Sequence, residues 1–245
     1  HEAAGLYAKD GGFLFSRAAW AGSQRYPSQW GGDPQADWGG LAASIRGGLS
    51  WGMTGAPFYA TDVGGFYGDQ RDPLLYVRWA QASVFSAHMR LHGIGAREPW
   101  SYGEEAERAA MAALELRYRL LPYLWRAVEQ ACATGLPVQR AMALACPDES
   151  ESWAFDHQFF CGDDLLVAPC LEPGGRVRVY LPRGEWRRFP GGEPVTGGQV
   201  REFRLALDEI AVFARVGAVI PLGPSVQHTG ALGAAPAAAE AWKAA

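Results

Sequence analysis

The stretch Pro57-Phe58-Tyr59-Ala60-Thr61-Asp62-Val63-Gly64-Gly65-Phe66 decides the fold. An apolar run from Pro57 to Ala60 stops at a hydroxyl, a carboxylate and a pair of glycines. A strand with one wet face would alternate apolar and polar residues. An unbroken apolar run that ends abruptly in polar groups is the pattern of a parallel strand buried on both sides, whose C-terminal end meets a site. The same pattern occurs upstream, where Phe13-Leu14-Phe15 enters Ser16-Arg17. Between the two, Trp38 to Met53 carries apolar residues at helical spacing and reads as the crossover helix that parallel strands require.

Working downstream, Asp72-Pro73 is a helix start signal, a capping carboxylate followed by a proline in the first turn, and apolar residues recur from there to Leu91. Ser101 to Ala133 is the strongest helical pattern: Ser101 and Glu104 fit a capping box, and Thr134-Gly135 with Pro137 stops it. Pro122 interrupts that pattern, so a kink or two helices are expected. Val138 to Ala145 reads as another buried strand. After Pro147 the texture changes to short β-branched and aromatic runs at 165–168, 176–181, 185–189, 200–205 and 211–215, which suit an antiparallel sandwich. From Ala231 the chain is alanine-rich and low in complexity, and a frayed helix or a disordered tail is expected there. A complete eight-fold β/α barrel takes ~250 residues, and only about three strand-and-helix units fit before Pro147. The expected architecture is therefore α/β: residues 1–147 as the C-terminal part of a (β/α)8 TIM barrel, 148–224 as an all-β sandwich domain, and 225–245 as a low-complexity tail.

Composition narrows the function classes. With 49% hydrophobic and 20% charged residues the chain is too apolar to be disordered over most of its length. A net charge of −4 provides no global basic field, so neither nucleic acid nor an anionic membrane surface is an expected partner. No apolar stretch is long enough for a membrane span, and no signal peptide is visible, although the chain begins with His1 and reads as cut from something longer. Cys132, Cys146, Cys161 and Cys170 form no CxxC pair and have no histidine at metal-ligand spacing. They read as free, mostly buried thiols, which leans towards a cytoplasmic setting. No metal and no cofactor is expected, and a homo-oligomer is compatible with the sequence.

The site-like motif is Trp30-Gly31-Gly32-Asp33, a tryptophan and a carboxylate on a glycine segment where backbone can approach a ligand. Sugar rings stack on aromatic faces, and a glycosidic oxygen needs a carboxylic acid to protonate it as it leaves. A solvated loop aspartate beside a core tryptophan would give the same letters. Asp62 stands where a barrel would place its catalytic face, or serves as a turn residue. Arg17, leaving a buried strand, needs a carboxylate or a ligand. His88 and His92, four residues apart, would share one helical face, but no third metal ligand accompanies them.

Together these segments are more specific. Residues 13–27, then Gln29-Trp30-Gly31-Gly32-Asp33, Ser44-Ile45-Arg46-Gly47-Gly48-Leu49-Ser50, Asp62-Val63-Gly64-Gly65-Phe66 and Arg90-Leu91-His92-Gly93 closely resemble glycoside hydrolase family 31. So do Arg117 to Leu124 and Gly162 to Pro169, and the resemblance covers residues 1–223. It implies retaining hydrolysis of α-linked sugars at the C-terminal face of a barrel, with an oligosaccharide or α-glycoside as substrate. Position by position it makes Asp33 the general acid/base and Trp30 the wall of the pocket for the nonreducing-end sugar. Arg17 and His92 become the residues that hold that sugar's hydroxyls and the neighbouring carboxylates, with Asp62 and Phe66 as further pocket residues. The wording Arg90-Leu91-His92-Gly93 and Arg97-Glu98-Pro99-Trp100 is shared with α-xylosidases and leans towards an α-xyloside over an α-glucoside. In the family the nucleophilic aspartate lies on a strand upstream of the region matched here, so this chain is expected to be a fragment that supplies one of the two carboxyl groups, inactive alone. A carbohydrate-binding remnant without chemistry is the alternative. The sequence is also shorter than the family between residues 7 and 13.

Overall fold

A computed structural model describes residues 14–26, 28–68, 71–233 and 236–244. Phe13 and the shortened stretch at 7–13 lie outside the described residues. The N-terminal part is a sheet of three parallel strands in sequence order, β1 (Phe15–Ser16), β2 (Ser28–Trp30) and β3 (Tyr59–Ala60). A single parallel bridge between Asp62 and Arg90 continues this arrangement past β3. The crossover from β2 to β3 runs through helix α1 (Trp38–Met53), capped by Asp37, whose side chain accepts the Gly40 N–H at 2.6 Å.

Helix α2 (Pro73–Ser83) starts where expected, with Asp72 accepting from the Leu74 and Leu75 amides and Pro73 in the first turn. It ends eight residues before Leu91. The buried guanidinium of Arg117 donates to the carbonyls of Val84, Ser86 and Ala87 at 2.6, 2.6 and 3.0 Å, and Ser86 Oγ donates to Ser83 O at 2.7 Å. These bonds take the carbonyls a longer helix would use. Pro122 does divide the long helical pattern into α3 (Glu104–Arg119) and α4 (Leu121–Thr134), which stops at Gly135. The Ser101–Glu104 capping box is not formed. Pro99 opens a 3-10 turn over Pro99–Tyr102, Gly103 becomes the N-cap with no side chain to offer, and Glu104, Glu105 and Glu107 answer the helix dipole instead.

The run from Val138 to Ala145 contains strand β4 (Gln139–Ala141) followed by a one-turn helix α5 (Met142–Ala145). β4 is the edge of a six-stranded sheet although it precedes Pro147. The rest of that sheet is β5 (Phe159–Cys161), β6 (Leu165–Ala168), β8 (Glu185–Arg188), β9 (Pro194–Thr196) and β11 (Ala211–Arg215), in the antiparallel order β4-β5-β6-β11-β8-β9. β7 (Arg176–Leu181) and β10 (Gln199–Arg204) form a separate antiparallel pair. The central strands of the large sheet are buried on both faces. Phe159, Cys161, Leu165, Val167, Val212 and Ala214 join the core of the helices, whereas Phe160, Leu166, Ala168, Phe213 and Trp186 pack with Val177, Val179 and Leu181 of β7. One face of the large sheet thus shares a core with the parallel units, and its other face forms a second core with β7. Arg78 of α2 adds a polar tie, donating to the carbonyls of Leu205, Ala206, Leu207 and Glu209 at 3.3, 2.9, 3.4 and 2.9 Å.

The alanine-rich end departs from expectation. A 3-10 turn at Thr229–Leu232 is followed by β13 (Glu240–Lys243), which pairs antiparallel with β12 (Val219–Leu222). Trp242 explains this: its ring packs 5.0 Å from Phe189 and its indole N–H donates to Pro190 O at 3.1 Å. One aromatic anchor in a tail of small residues suffices to dock a strand. No described helix is long and apolar enough to cross a membrane.

Candidate active site

Parallel strands present their C-terminal ends at one edge, and the polar residues that interrupt each apolar run gather there. Arg17 follows β1, Asp33 follows β2, Asp62 follows β3, and Arg90 and His92 lie on the segment bridged to Asp62. The loops that carry them are joined by main-chain bonds. Phe66 and Tyr67 donate to Pro34 O at 2.7 and 3.0 Å, Ala36 donates to Tyr67 O at 2.7 Å, and Ile94 donates to Phe66 O at 2.9 Å. The Arg97 guanidinium, buried, donates to Gly65 O at 2.9 Å from beneath.

Arg17 Nη1 lies 3.3 Å from Asp33 Oδ2; the arginine side chain is 61% exposed and the carboxylate 15%. Between them Gly32 has φ +85°, and a Cβ there would lie 2.8 Å from Arg17 Nε, so glycine allows the ion pair to close over the loop. Asp62 is fully buried, and its Oδ1 accepts from Arg90 Nε at 2.5 Å while its Oδ2 has no partner. Burial pushes the Asp62 carboxyl above its ordinary range; Arg90 and His92 pull it down, and the charge of Asp33 pushes it further up. The two aspartates therefore stand within each other's field. Trp30 stacks on Phe15 with centroids 5.4 Å apart and planes 20° apart, and its buried indole N–H also lacks a partner. Phe66 lies 5.3 Å from the His92 ring.

All six residues singled out from the sequence, Arg17, Trp30, Asp33, Asp62, Phe66 and His92, fall in this one cluster. His88 and His92 do not share a helical face, because the chain from residue 88 to 92 is not helical. His88 instead meets the Phe15 ring edge-on at 6.1 Å, and burial and the nearby Arg117 push its pKa down to about 4. Among the described residues no group of three or more His, Cys, Asp or Glu side chains could hold a metal ion. Sequence reasoning missed Arg90 and Phe15. The signal was the spacing of His88, Arg90 and His92, which alternates with a period of two and marks one face of an extended segment.

A family model described as the glycosyl hydrolases family 31 TIM-barrel domain matches residues 2–127, and one for the glycosyl hydrolase family 31 C-terminal domain matches residues 135–220. A protein of Oryza sativa subsp. japonica named "Probable glucan 1,3-alpha-glucosidase" is 40% identical over 218 residues, 87% of this chain and 24% of that protein. An alpha-xylosidase of Saccharolobus solfataricus is 35% identical over 217 residues, 85% of this chain and 30% of that protein. The structure of a Flavobacterium johnsoniae GH31 dextranase complexed with isomaltotriose superposes with a TM-score of 0.83 at 39% identity, covering 89% of this chain and 28% of that one. The chain thus spans about a quarter to a third of the length of these relatives.

Proposed function

The chain belongs to glycosyl hydrolase family 31, and from that premise we propose that it carries the acid/base side of a retaining α-glycoside hydrolase acting on nonreducing-end sugars, an α-xyloside by preference. The parallel units are read as the C-terminal part of a (β/α)8 barrel and the antiparallel sheets as a sandwich behind it. The observation that carries the reading is the convergence of Asp33, Asp62, Arg17 and His92 on one strand edge beside an aromatic wall, with two buried polar atoms, Asp62 Oδ2 and Trp30 Nε1, left without a protein partner. Buried polar groups are normally paired, and those left over at a site are where a ligand's hydroxyls bind.

In the first step Asp33 gives its proton to the glycosidic oxygen as the bond to the anomeric carbon breaks, and a second carboxylate attacks that carbon to form a glycosyl-enzyme. In the second, ionised Asp33 takes a proton from water, whose oxygen displaces the carboxylate. The attacking group must stand ~5–5.5 Å from the acid. Asp62 is committed to Arg90 and buried, so we assign it to sugar hydroxyls and place the attacking carboxylate outside these 245 residues. Arg17 orients Asp33, Trp30 faces the sugar ring, and His92 with Phe66 closes the far side. The relative named as a glucosidase supports an α-glucoside as the second reading. Four thiols without a disulfide support a reducing compartment.

The test is release of p-nitrophenol from the α-xyloside and the α-glucoside, by this chain alone and by this chain with the reading frame continuous upstream of His1. Activity in the extended protein only, lost on unactivated glycosides by about 100-fold or more in Asp33→Asn and less on aryl glycosides, is the expected result. Intact hydrolysis of natural glycosides by Asp33→Asn refutes the assignment of the acid. Sugar binding without turnover in either form leaves the carbohydrate-binding reading.

A further inference from the structure

Arg90 stands at the centre of the cluster, and no step of the proposed reaction uses it. The parallel bridge holds it beside Asp62, with the Val63 amide donating to its carbonyl at 3.1 Å. Its Nε bonds Asp62 Oδ1, and its Cζ lies 4.9 Å from the centroid of the Phe15 ring and 4.9 Å from that of Trp30. We infer that Arg90 is the positioning residue of the sugar pocket, one planar cation that sets the Asp62 carboxylate and the Trp30 wall as a single unit. The inference rests on the reading of Asp62 and Trp30 as sugar-facing, and it names the group that fixes their geometry.

The physical case has two parts. An aspartate with no exposed surface keeps its charge only beside a cation that donates to it, and Arg90 is the ion-pair partner at that distance. With Oδ1 occupied, the plane of the carboxylate is fixed and Oδ2 is the free acceptor. The second part is shape. A guanidinium can donate in its plane to a carboxylate while its face covers aromatic rings, whereas an ammonium can supply charge but no plane. Arg90 is itself placed, because the Arg117 bonds to Val84, Ser86 and Ala87 anchor the chain that leads to it. The charged and titratable groups acting on Asp62 are Arg90, His92 and Asp33, and Asp62 in turn acts on the Tyr59 hydroxyl of β3, the strand that leads into it.

The experiment uses this chain, labelled for NMR of the Asp62 carboxyl carbon and the Trp30 indole N–H, with methyl α-D-xylopyranoside and methyl α-D-glucopyranoside as probes. In Arg90→Met the Asp62 titration moves to higher pH and the Trp30 resonance moves. In Arg90→Lys the titration returns towards that of the parent while the Trp30 resonance stays displaced, and affinity for the xyloside falls about tenfold, the scale of a partly desolvated cation–π contact. An unchanged Asp62 titration in Arg90→Met, or full recovery of the Trp30 resonance and affinity in Arg90→Lys, overturns the inference. Should a variant not fold, the parent chain decides: the Arg90 Nε–H resonance must titrate with the same midpoint as Asp62, and a flat response refutes the pairing. If these ligand-free signatures hold and neither methyl glycoside moves Trp30 in this chain or in the protein extended upstream of His1, the sugar reading fails and the placement by Arg90 stands.

Discussion

Gly65 offers a direct test of how the site loops are joined. Its φ is +81°, and a Cβ there would lie 2.4 Å from Ala36 Cα and 2.7 Å from Ala36 N, both backbone atoms that cannot rotate away. For Gly65→Ala the left-handed conformation costs about 1–2 kcal/mol, and overpacking against fixed backbone adds roughly 1–3 kcal/mol. A loss of about 3 kcal/mol lowers Tm by ~6–12 °C in a chain of this size. Gly55 is the control. It has φ +87° with nothing within 4 Å of the added Cβ, so Gly55→Ala carries only the conformational cost of about 1–2 kcal/mol. Thermal unfolding of the two variants isolates the contact, and amide exchange of Ala36, Phe66 and Tyr67 localises it, since their bonds cross the same junction. Equal Tm losses in the two variants, or unchanged protection of those amides in Gly65→Ala, would refute the packing of the Asp33 loop against the Asp62 loop.

Three further outcomes follow from buried groups. His88 has its folded pKa lowered to about 4, so the unfolded chain takes a proton that the native state refuses, and stability falls as pH drops from about 6.5 to about 4; urea titrations across that window should show a shallower fall in His88→Gln. Burial pushes the Cys161 thiol up to about 12, and Cys146 and Cys170 are also buried. A thiol reagent should therefore react rapidly with Cys132 alone in the native chain and with all four cysteines in denaturant. Arg78→Met should cost about 1–3 kcal/mol, because it leaves the buried carbonyl of Leu205 without that donor and removes the bonds to Ala206 and Glu209 at its rim, and Arg78→Lys should recover little of it, read as the shift in urea midpoint.

Most elements were legible because local signals and packing agree. Asp72-Pro73 starts its helix as written, Trp38–Met53 matches limit for limit, and the strands at 165–168, 176–181 and 211–215 coincide with the apolar runs. The grouping of the six candidate residues was legible through their motifs and through the rule that apolar strands end at one edge, where the structure brings them together. What escaped is non-local. The end of α2 is set by Arg117, more than thirty residues away, and the docking of the tail by a contact between Trp242 and Phe189. Val138 to Ala145 was read as one strand, but only its first half finds a partner, Phe159–Cys161, across the chain. Arg90 was hidden by a choice of period: spaced for a helix, His88 and His92 draw the eye, whereas an extended chain brings Arg90 to the same face.

The tie made by Arg78 has an evolutionary corollary. Its guanidinium grips main-chain oxygens of residues 205–209 and no side chain of that turn. Such a clasp reads the path of the turn more than its letters, of which the acidic Asp208 and Glu209 add attraction through their charge. The letters of the turn can drift so far as its path is kept, whereas the sheet strands behind it remain tied to the helices by their shared core. The arginine has no such latitude, so mutational tolerance should be lopsided across this junction, wider in the turn and narrow at one position of the helix.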